Sequence, residues 1–246
     1  MGKVKDAMLL KRYFKKYESY WKRRHKHHRR GRTLTSSFER LRSIWKKNAQ
    51  GNILDIGCAE GNMSRELSKY GFVVGIDVCL PLLKKAVRVS QEKITFIWGL
   101  GEKLPLKDQT FDFVLCSEVI EHVLNDMALL TEIKRVMKKK SYLLISTPRK
   151  DSQGIYSIVK NAILKTWYKG RLPFPYHLRE YTVKDFTLTL KKAGFKPIKA
   201  IYDKPLLPDI PFRRTLHDKI FKTGPGQIFL CEKDENMHAT YVNQRN

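Results

Sequence analysis

The chain has 246 residues, of which 42% are hydrophobic, enough for one large single-core domain with a small appendage. Its four cysteines are scattered without a CxxC pair, which argues against a disulfide framework or a cysteine-based zinc module. No apolar run approaches the roughly 20 residues that a membrane-spanning helix needs, so we expect no transmembrane segment and a cytoplasmic location.

The charge is strongly positive and unevenly distributed. The net charge is +25, and residues 1–50 hold 17 Lys and Arg against 3 Asp and Glu. This predicts a basic N-terminal extension over residues 1–48. Its field attracts nucleic acid, an anionic membrane surface or acidic small molecules without choosing among them, so peripheral membrane association stays open as an alternative.

Two helices are predicted within this extension. Over residues 7–21 aromatic and apolar residues recur at helical spacing between lysines and arginines, which indicates an amphipathic helix with a basic face. We expect its aromatic stripe to dock on the main domain rather than enter a membrane. Residues 22–32 are the favoured polyanion contact, and a second helix is expected from Ser36 to Lys47.

From residue 52 onwards, short apolar runs alternate with helical patterns. Runs that are apolar on both faces of a strand are typical of a parallel sheet covered by helices. Right-handed crossovers then bring the carboxyl ends of the strands to one edge, where ligands bind. The predicted strands are 52–57, 72–77, 94–99, 112–117 and 142–147, and the predicted helices are 63–70, 81–89 and 127–137.

The alternation stops after Pro148. Residues 149–180 are longer than a usual connection and predict a lid or a helical insertion. A helix at 183–193 with Gly194 as its cap and strands at 195–202 and 227–232 follow. We therefore expect a catalytic or binding domain over residues 49–235 and a disordered tail over residues 236–246.

The sequence LDIGCAEG, residues 54–61, stands at the first strand–helix junction. Gly57 and Gly61 let the backbone turn tightly and pass close to a ligand. Asp55 is placed to accept a hydrogen bond from an ammonium group or from loop amides. The next strand ends in Asp77, which is suited to hold a ribose diol. Together these residues predict a nucleotide-type ligand.

The chemistry of this loop narrows the ligand. It lacks the third glycine of a dinucleotide fingerprint. Asp55 and Glu60 make it acidic, which disfavours a pyrophosphate and suits a ligand that carries positive charge. S-adenosylmethionine, with its sulfonium, ammonium and ribose diol, meets these requirements.

On these motifs, residues 50–232 resemble the class I S-adenosylmethionine-dependent methyltransferases, and most closely the broad group that includes ubiquinone-biosynthesis O-methyltransferases. LDIGCAEG is similar to the first motif of the family, GID at 75–77 to its second, and GLGEKLPLKDQTFDFVLCSEVIEHV to the adenine-binding strand end and the fourth strand. The resemblance implies a Rossmann-like, doubly wound α/β fold. Its seven-stranded sheet would be mostly parallel, with the last strand antiparallel.

The resemblance also implies a set of cofactor-binding residues. The glycine loop would face the methionine half of the cofactor, Asp77 the ribose and residues 100–102 the adenine. Two positions depart from the family: Ala59 stands where glycine is common, and Leu100 where many members carry an acid. The predicted contacts are Asp55, Gly57, Cys58, Glu60, Gly61, Asp77, Val78, Gly101, Glu102, Ser117 and Glu118.

The sequence SEVIEHV follows the fourth predicted strand. In a helical turn, Glu118, Glu121 and His122 share one face. Three interpretations stay open: hydrogen bonds that position the cofactor pocket, His122 as the catalytic general base, or a metal site. The metal site would bind Mg²⁺ or a similar divalent ion through these three residues and His177.

Fewer residues of the sequence point to a binding site for the methyl acceptor. His177, Arg179 and Tyr181 are candidate substrate residues, or else a helix-entry loop with Thr182 as N-cap. We expect in-line methyl transfer to an oxygen of a small-molecule or lipid-like acceptor. An RNA methyltransferase that uses the basic arm and a non-catalytic cofactor-binding protein are the alternatives.

Overall fold

The computed structural model describes residues 36–88, 90–150, 177–202 and 226–234. Several predictions lie outside these residues. They are the helix at 7–21, the basic stretch at 22–32, most of the predicted lid and the C-terminal tail.

Five helices and seven strands are formed by the described residues. The helices are α1 (Ser36–Asn48), α2 (Asn62–Leu67), α3 (Leu80–Arg88), α4 (Asp126–Val136) and α5 (Val183–Lys192). The strands are β1 (Gly51–Ile56), β2 (Gly71–Asp77), β3 (Ile94–Trp98), β4 (Phe111–Ser117), β5 (Met137–Pro148), β6 (Phe195–Tyr202) and β7 (Gly226–Lys233).

All seven strands form one sheet in the order β3-β2-β1-β4-β5-β7-β6. The pairs among β1 to β5 are parallel, and β7 is antiparallel to both of its neighbours. The predicted Rossmann-like α/β fold with an antiparallel last strand is confirmed. The order changes direction between β1 and β4, which is where an open α/β sheet forms its ligand crevice.

Apolar residues on both faces of the strands hold the sheet between two helical layers. Along β4, Phe113 and Leu115 belong to one core and Val114 and Cys116 to the other, and all four are fully buried. This is the period-two alternation of a strand covered on both sides. The sheet is therefore rigid at the point where β1 and β4 deliver their terminal residues to the site.

Helix α1 packs against this sheet although the sequence assigned it to the extension. Its residues Phe38, Leu41, Ile44 and Trp45 are buried, and the helix contacts β5 and β7. The four residues recur at helical spacing, which is why they share one face. The predicted helix from Ser36 to Lys47 is thus found one residue longer, as part of the packed domain.

Two predicted boundaries are wrong. Helix α2 ends at Leu67 rather than at residue 70, and β5 begins at Met137 rather than at residue 142. Phe111 pairs with Met137 and Phe113 with Tyr142, so the extra residues 138–141 form an irregularity within β5. Lys138, Lys139 and Lys140 therefore belong to the strand.

The predicted caps of the last helix are present. The Thr182 side chain accepts a hydrogen bond from the amide of Asp185, and Gly194 follows the helix with φ +81°. All four cysteines are buried, and none of them forms a disulfide bond. Among the described residues, no helix has the length and apolar character needed to cross a membrane.

Candidate active site

A cleft of about 160 Å³ opens at the carboxyl edge of the sheet, where β1, β2 and β4 end. It is lined by Ile56, Gly57, Ala59, Ile76, Asp77, Val78, Leu82, Gly99, Leu100, Gly101, Glu102, Ser117, Glu118, Val119, His122, Val123 and Leu124. Seven of the predicted cofactor residues are in this set: Gly57, Asp77, Val78, Gly101, Glu102, Ser117 and Glu118. His122, the predicted catalytic residue, lines the same cleft.

The glycine loop is packed tightly against the turn that follows β4. Gly57 has φ +73°, and a Cβ atom there would lie 2.3 Å from Val119 Cγ2. Ala59, at the position where the family favours glycine, also has a positive φ of 49°. The loop therefore depends on left-handed backbone conformations that glycine adopts without strain.

Asp77 organises this loop from the end of β2. Its Oδ2 accepts a hydrogen bond from the Ala59 amide at 2.9 Å, and its Oδ1 from the Cys79 amide at 2.7 Å. Burial raises the pKa of the carboxyl group, and the amide hydrogen bonds oppose the rise. A carboxylate accepts about four hydrogen bonds, so Asp77 retains capacity for a ligand in the cleft.

Four predicted cofactor residues do not line the cleft. Asp55 is buried under the loop and accepts a hydrogen bond from Ser64 Oγ of α2 at 2.5 Å. Cys58 is buried, and Glu60 forms an ion pair with Lys85 at 2.6 Å. Gly61 is the N-cap of α2 with φ +74°. In this structure the four shape the loop from behind.

The buried carboxyl group of Asp55 makes the folding stability of the ligand-free protein depend on pH. Burial, opposed by the Ser64 hydrogen bond and reinforced by the charge of Asp77, raises the pKa of Asp55 from 3.8 to about 7. Below 3.8 both the folded and the unfolded chain hold the proton, so Asp55 has no effect there. As the pH rises, the unfolded chain ionises first, and the stability falls until the pH exceeds about 7.

We expect Asp55→Asn to remove this part of the pH dependence. The ionised side chain destabilises the fold by on the order of 4 kcal/mol above the folded pKa, and an amide avoids that cost. Urea unfolding of both proteins without ligand, from the ordinary carboxyl pKa to above neutrality, measures the difference. Parallel stability curves for the two proteins would contradict the expectation.

The stretch after β3 forms the opposite wall of the cleft. Glu102 Oε1 accepts hydrogen bonds from the amides of Leu124 at 2.8 Å and Asn125 at 3.3 Å. A Cβ atom on Gly101 would lie 2.7 Å from Leu129 Cδ1. Glu102 thus ties this wall to the turn that follows β4, and Gly101 allows the two to approach.

Glu118 stands at the floor of the cleft in a strained conformation. Its φ is +55°, its amide donates to the Ser146 carbonyl, and its Oε1 accepts from Ser146 Oγ at 2.9 Å. Ser117 Oγ also lies 2.9 Å from Ser146 Oγ. The side chain opens to the cleft. The surrounding protein nevertheless removes water from its carboxyl group, and this desolvation raises the pKa of Glu118, while the hydrogen bond from Ser146 opposes the rise.

Glu121, His122 and His177 come together beside Glu118. Their candidate ligand atoms lie within 4.8 Å of one another. His122 Nε2 is 3.8 Å from Glu121 Oε1, and the two imidazole rings meet edge to face at 4.9 Å. Glu118 is not part of this group, so the structure assembles three of the four predicted metal ligands.

Glu121 is the most confined acid of the site. Only 1% of its side chain is exposed, and Thr147 Oγ1 donates to its Oε2 at 3.0 Å. Its Oε1 has no hydrogen-bond partner among the described residues. Burial and the negative charge of Glu118 raise the pKa of Glu121 well above its ordinary value. Burial and the neighbouring acid therefore favour the protonated form of Glu121.

None of the three predicted substrate residues lines the cleft. Arg179 bonds to backbone carbonyls of the turn at 120–124, and the Tyr181 hydroxyl donates to Asp126 Oδ2 at 2.6 Å. The ring of His177 packs against that of His122. The predicted Thr182 N-cap of the loop that enters α5 is present, and the substrate role of the three residues stays a prediction.

Several lining residues carried no distinct signal in the sequence. They are apolar or small, and nothing in a linear pattern separates them from core residues. Val119, Val123 and Leu124 adjoin the recognised acids of SEVIEHV, so their position in the turn was the only available signal. The unpredicted lining residues are Ile56, Ala59, Ile76, Leu82, Gly99, Val119, Val123 and Leu124.

The residues that line the cleft suit the chemical groups of S-adenosylmethionine. Asp77 lies at the end of β2 with spare acceptor capacity, and the apolar Leu82, Val123 and Leu124 provide a surface for a flat base. The acids at the floor suit a ligand with positive charge. The fold and this cleft together define a Rossmann-like methyltransferase.

Comparisons with known proteins lead to the same class. A methyltransferase domain model matches residues 24–200. An uncharacterized protein of Methanocaldococcus jannaschii is 32% identical over 195 residues, covering 73% of this chain and 76% of that protein. A ubiquinone biosynthesis O-methyltransferase of Dinoroseobacter shibae is 31% identical over 152 residues, 59% of this chain and 60% of that enzyme.

The fold comparison agrees. An S-adenosylmethionine-dependent methyltransferase of Mesorhizobium loti superposes with a TM-score of 0.60 at 18% identity, over 80% of this chain and 97% of that one. The chain belongs to the methyltransferase domain family and is a class I S-adenosylmethionine-dependent methyltransferase.

Proposed function

We propose that the protein is an O-methyltransferase that acts on a small-molecule or lipid-like acceptor, with His122 as the base. The observation that carries the proposal is the position of His122 in the cleft, backed by the buried carboxyl group of Glu121. An imidazole titrates near neutral pH and suits removal of a proton from a hydroxyl group. Nucleic acid and membrane surfaces stay outside the proposal because no described contact favours them.

The residues that would hold the cofactor are those that line the cleft. Asp77 would bind the ribose, Gly57 and Ala59 would lie along the methionine half, and residues 99–102 with Leu82 would enclose the adenine. S-adenosylmethionine supplies an electrophilic methyl group. The protein orients the acceptor oxygen behind that group and excludes water from the cleft, which are contributions of positioning.

The acceptor class rests on exposed apolar residues at the cleft wall and on the segments beside it. Leu124 lines the cleft, Met127 and Leu178 belong to adjoining segments, and each is more than a third exposed. Exposed apolar side chains beside a cleft suit an acceptor with an apolar body. The relative named as a ubiquinone biosynthesis O-methyltransferase supports an oxygen acceptor, although this chain spans only 60% of that enzyme.

The alternative role for His122 is as a ligand, with Glu121 and His177, of a divalent cation, because an imidazole nitrogen that binds an ion cannot also accept a proton. Glu121 Oε1 has no hydrogen-bond partner among the described residues, and its distance of 3.8 Å from His122 Nε2 is too long for a hydrogen bond. Ligands of one tetrahedral ion lie about 3.4 Å apart, so the group would close by roughly 1 Å around it. Two imidazoles and one carboxylate favour Zn²⁺ or a similar borderline ion over Mg²⁺.

Metal binding is testable without an acceptor. In this alternative, protein treated with a chelator binds Zn²⁺ in a calorimetric titration, and Glu121→Gln and His177→Ala each weaken binding at least ~10-fold. Glu118→Gln is the control for loss of a negative charge in the same turn, and its affinity should not fall, because removal of the Glu118 charge lowers the pKa of Glu121 and favours its ionised, metal-binding form. Equal affinities in all four proteins would remove the metal site.

The acceptor is testable with labelled S-adenosylmethionine. The protein is incubated with a cell extract separated into RNA, lipid, protein and small-metabolite fractions, with and without chelator. We expect label in the lipid or small-metabolite fraction; a loss of label with chelator would favour the cation alternative over the base. Label in RNA alone would overturn the acceptor class, and label in no fraction would overturn the proposed function.

A further inference from the structure

Arg179 is outside the cleft, yet it contacts the main chain of the turn that forms the cleft wall. Its Nη1 donates to the carbonyl oxygens of Ile120 at 3.1 Å and Val123 at 2.5 Å, and its Nη2 to that of Leu124 at 2.8 Å. Its Nε lies 3.7 Å from Asp126 Oδ2. One side chain therefore satisfies three carbonyls and pairs with the first residue of α4.

The turn needs such a partner because it is too short to satisfy itself. The amide of His122 donates to the Val119 carbonyl, and the chain then leaves this turn to begin α4 at Asp126. No described backbone amide donates to the carbonyls of Ile120, Val123 or Leu124. Ile120 and Val123 are buried, and carbonyl groups left without a partner in a protein interior are costly, so the guanidinium group stabilises this conformation of the turn.

Neighbouring residues of the same segment reinforce the contact. The Leu178 amide donates to the Glu121 carbonyl at 2.8 Å, and the Tyr181 hydroxyl donates to Asp126 at 2.6 Å. From the other side, Glu102 binds the amides of Leu124 and Asn125. The turn is thus held between the stretch after β3 and the stretch before α5.

We propose that Arg179 is a positioning residue for the reaction. It fixes the backbone of residues 120–124, so that His122 faces the cleft and Val123 and Leu124 keep the shape of its wall. The catalytic part of this role rests on the proposed function, because His122 is the base in that proposal. The effect on the cofactor site follows from the geometry of the turn alone.

Lysine is the informative replacement at this position. A guanidinium group presents five N–H donors in a fixed fork, which is what three carbonyls and one carboxylate require. An ammonium group is a point charge that cannot reach all four. If Arg179 bound an anionic acceptor through its charge, lysine would retain much of the function. For a carbonyl contact, Arg179→Lys and Arg179→Ala should behave alike.

The experiment compares these variants in two measurements that need no acceptor. The first is amide hydrogen exchange of residues 119–125, and the second is the affinity for S-adenosylhomocysteine by calorimetry. We expect exchange to accelerate at least ~10-fold and affinity to fall ~10-fold in both variants, because local opening of the turn exposes its amides and distorts the wall. Added guanidinium at low concentration should restore the affinity of Arg179→Ala, whereas methylammonium should not.

Arg135 provides a matched control. Its guanidinium group donates to the carbonyls of Leu104 and Leu106 and pairs with Glu132 and Asp108. None of these residues lines the cleft. Arg135→Lys should therefore lower the melting temperature about as much as Arg179→Lys does. Exchange at residues 119–125 and the affinity for S-adenosylhomocysteine should stay within about twofold of the wild type.

The outcomes separate this inference from the proposed function. Arg179→Lys with wild-type exchange and affinity overturns the positioning role, as does an equal loss of affinity in Arg135→Lys. A wild-type protein that methylates no acceptor overturns the proposed function, while accelerated exchange in the Arg179 variants still supports the contact.

Discussion

His122→Ala should lower the rate of methyl transfer by about 10²–10⁴-fold while the affinity for S-adenosylhomocysteine stays within a few-fold of the wild type. The imidazole faces the cleft, and only 11% of the side chain is exposed, so water cannot easily take its place as the base. The measurement is turnover with the labelled acceptor fraction, next to a calorimetric titration. Full activity in His122→Ala would rule out both a base and a metal ligand at this position.

His177→Ala separates these two functions of His122. If His122 acts as a base without a metal, removal of His177 leaves the imidazole in the cleft, and activity should remain within about tenfold of the wild type. If the two rings share an ion, both variants should lose activity to a similar extent, and chelation should reproduce the loss. His122→Gln, which keeps a polar side chain, should be as inactive as His122→Ala in either case.

Gly57→Ala should abolish tight cofactor binding. Alanine at φ +73° costs roughly 1–2 kcal/mol of backbone strain, and its Cβ atom would lie 2.3 Å from Val119 Cγ2. The loop or the turn must shift to relieve this contact, and both line the cleft. We expect the affinity for S-adenosylhomocysteine to fall by ~100-fold or more, since both walls at the methionine end are displaced.

Two further variants separate the effect of the steric contact with Val119 from the effect of backbone strain at residue 57. In Gly57→Ala with Val119→Ala, the nearest remaining atom of residue 119 is its Cβ at 3.7 Å, an ordinary contact, so only the conformational strain persists. This double variant should recover part of the affinity. Gly226→Ala is the control, because its new Cβ atom meets nothing closer than the Thr147 carbonyl at 3.9 Å. A Gly57→Ala protein with wild-type affinity would contradict the assigned role of the loop.

The order of elements was predictable because apolar runs and helical periods differ along the chain. The buried runs that became β1, β2 and β4 were placed within one or two residues. The antiparallel direction of β7 came from the family resemblance alone, since a strand pattern carries no direction. The extension of β5 back to Met137 was missed because lysines at 138–140 resemble a solvated loop, although Lys138 pairs there with Asp112.

The candidate site was only half visible in the sequence. Asp77 and Glu118 were recognisable as acids at strand ends, and both line the cleft. Asp55 has the same character, but strand alternation turns it to the face covered by α2, where Ser64 binds it. The contacts of Arg179 could not be predicted, because its partners are backbone carbonyls, which have no signature in a sequence.

We expect the cleft between the Gly57 loop and the turn at 118–124 to bind the cofactor with its reacting end toward His122. A crystal structure of the protein with S-adenosylhomocysteine would show this. The ribose should lie at Asp77, the adenine beside Leu82 and residues 99–102, and the sulfur on the side of His122. A ligand bound outside this cleft, or with its sulfur directed away from His122, would rule out this cofactor site.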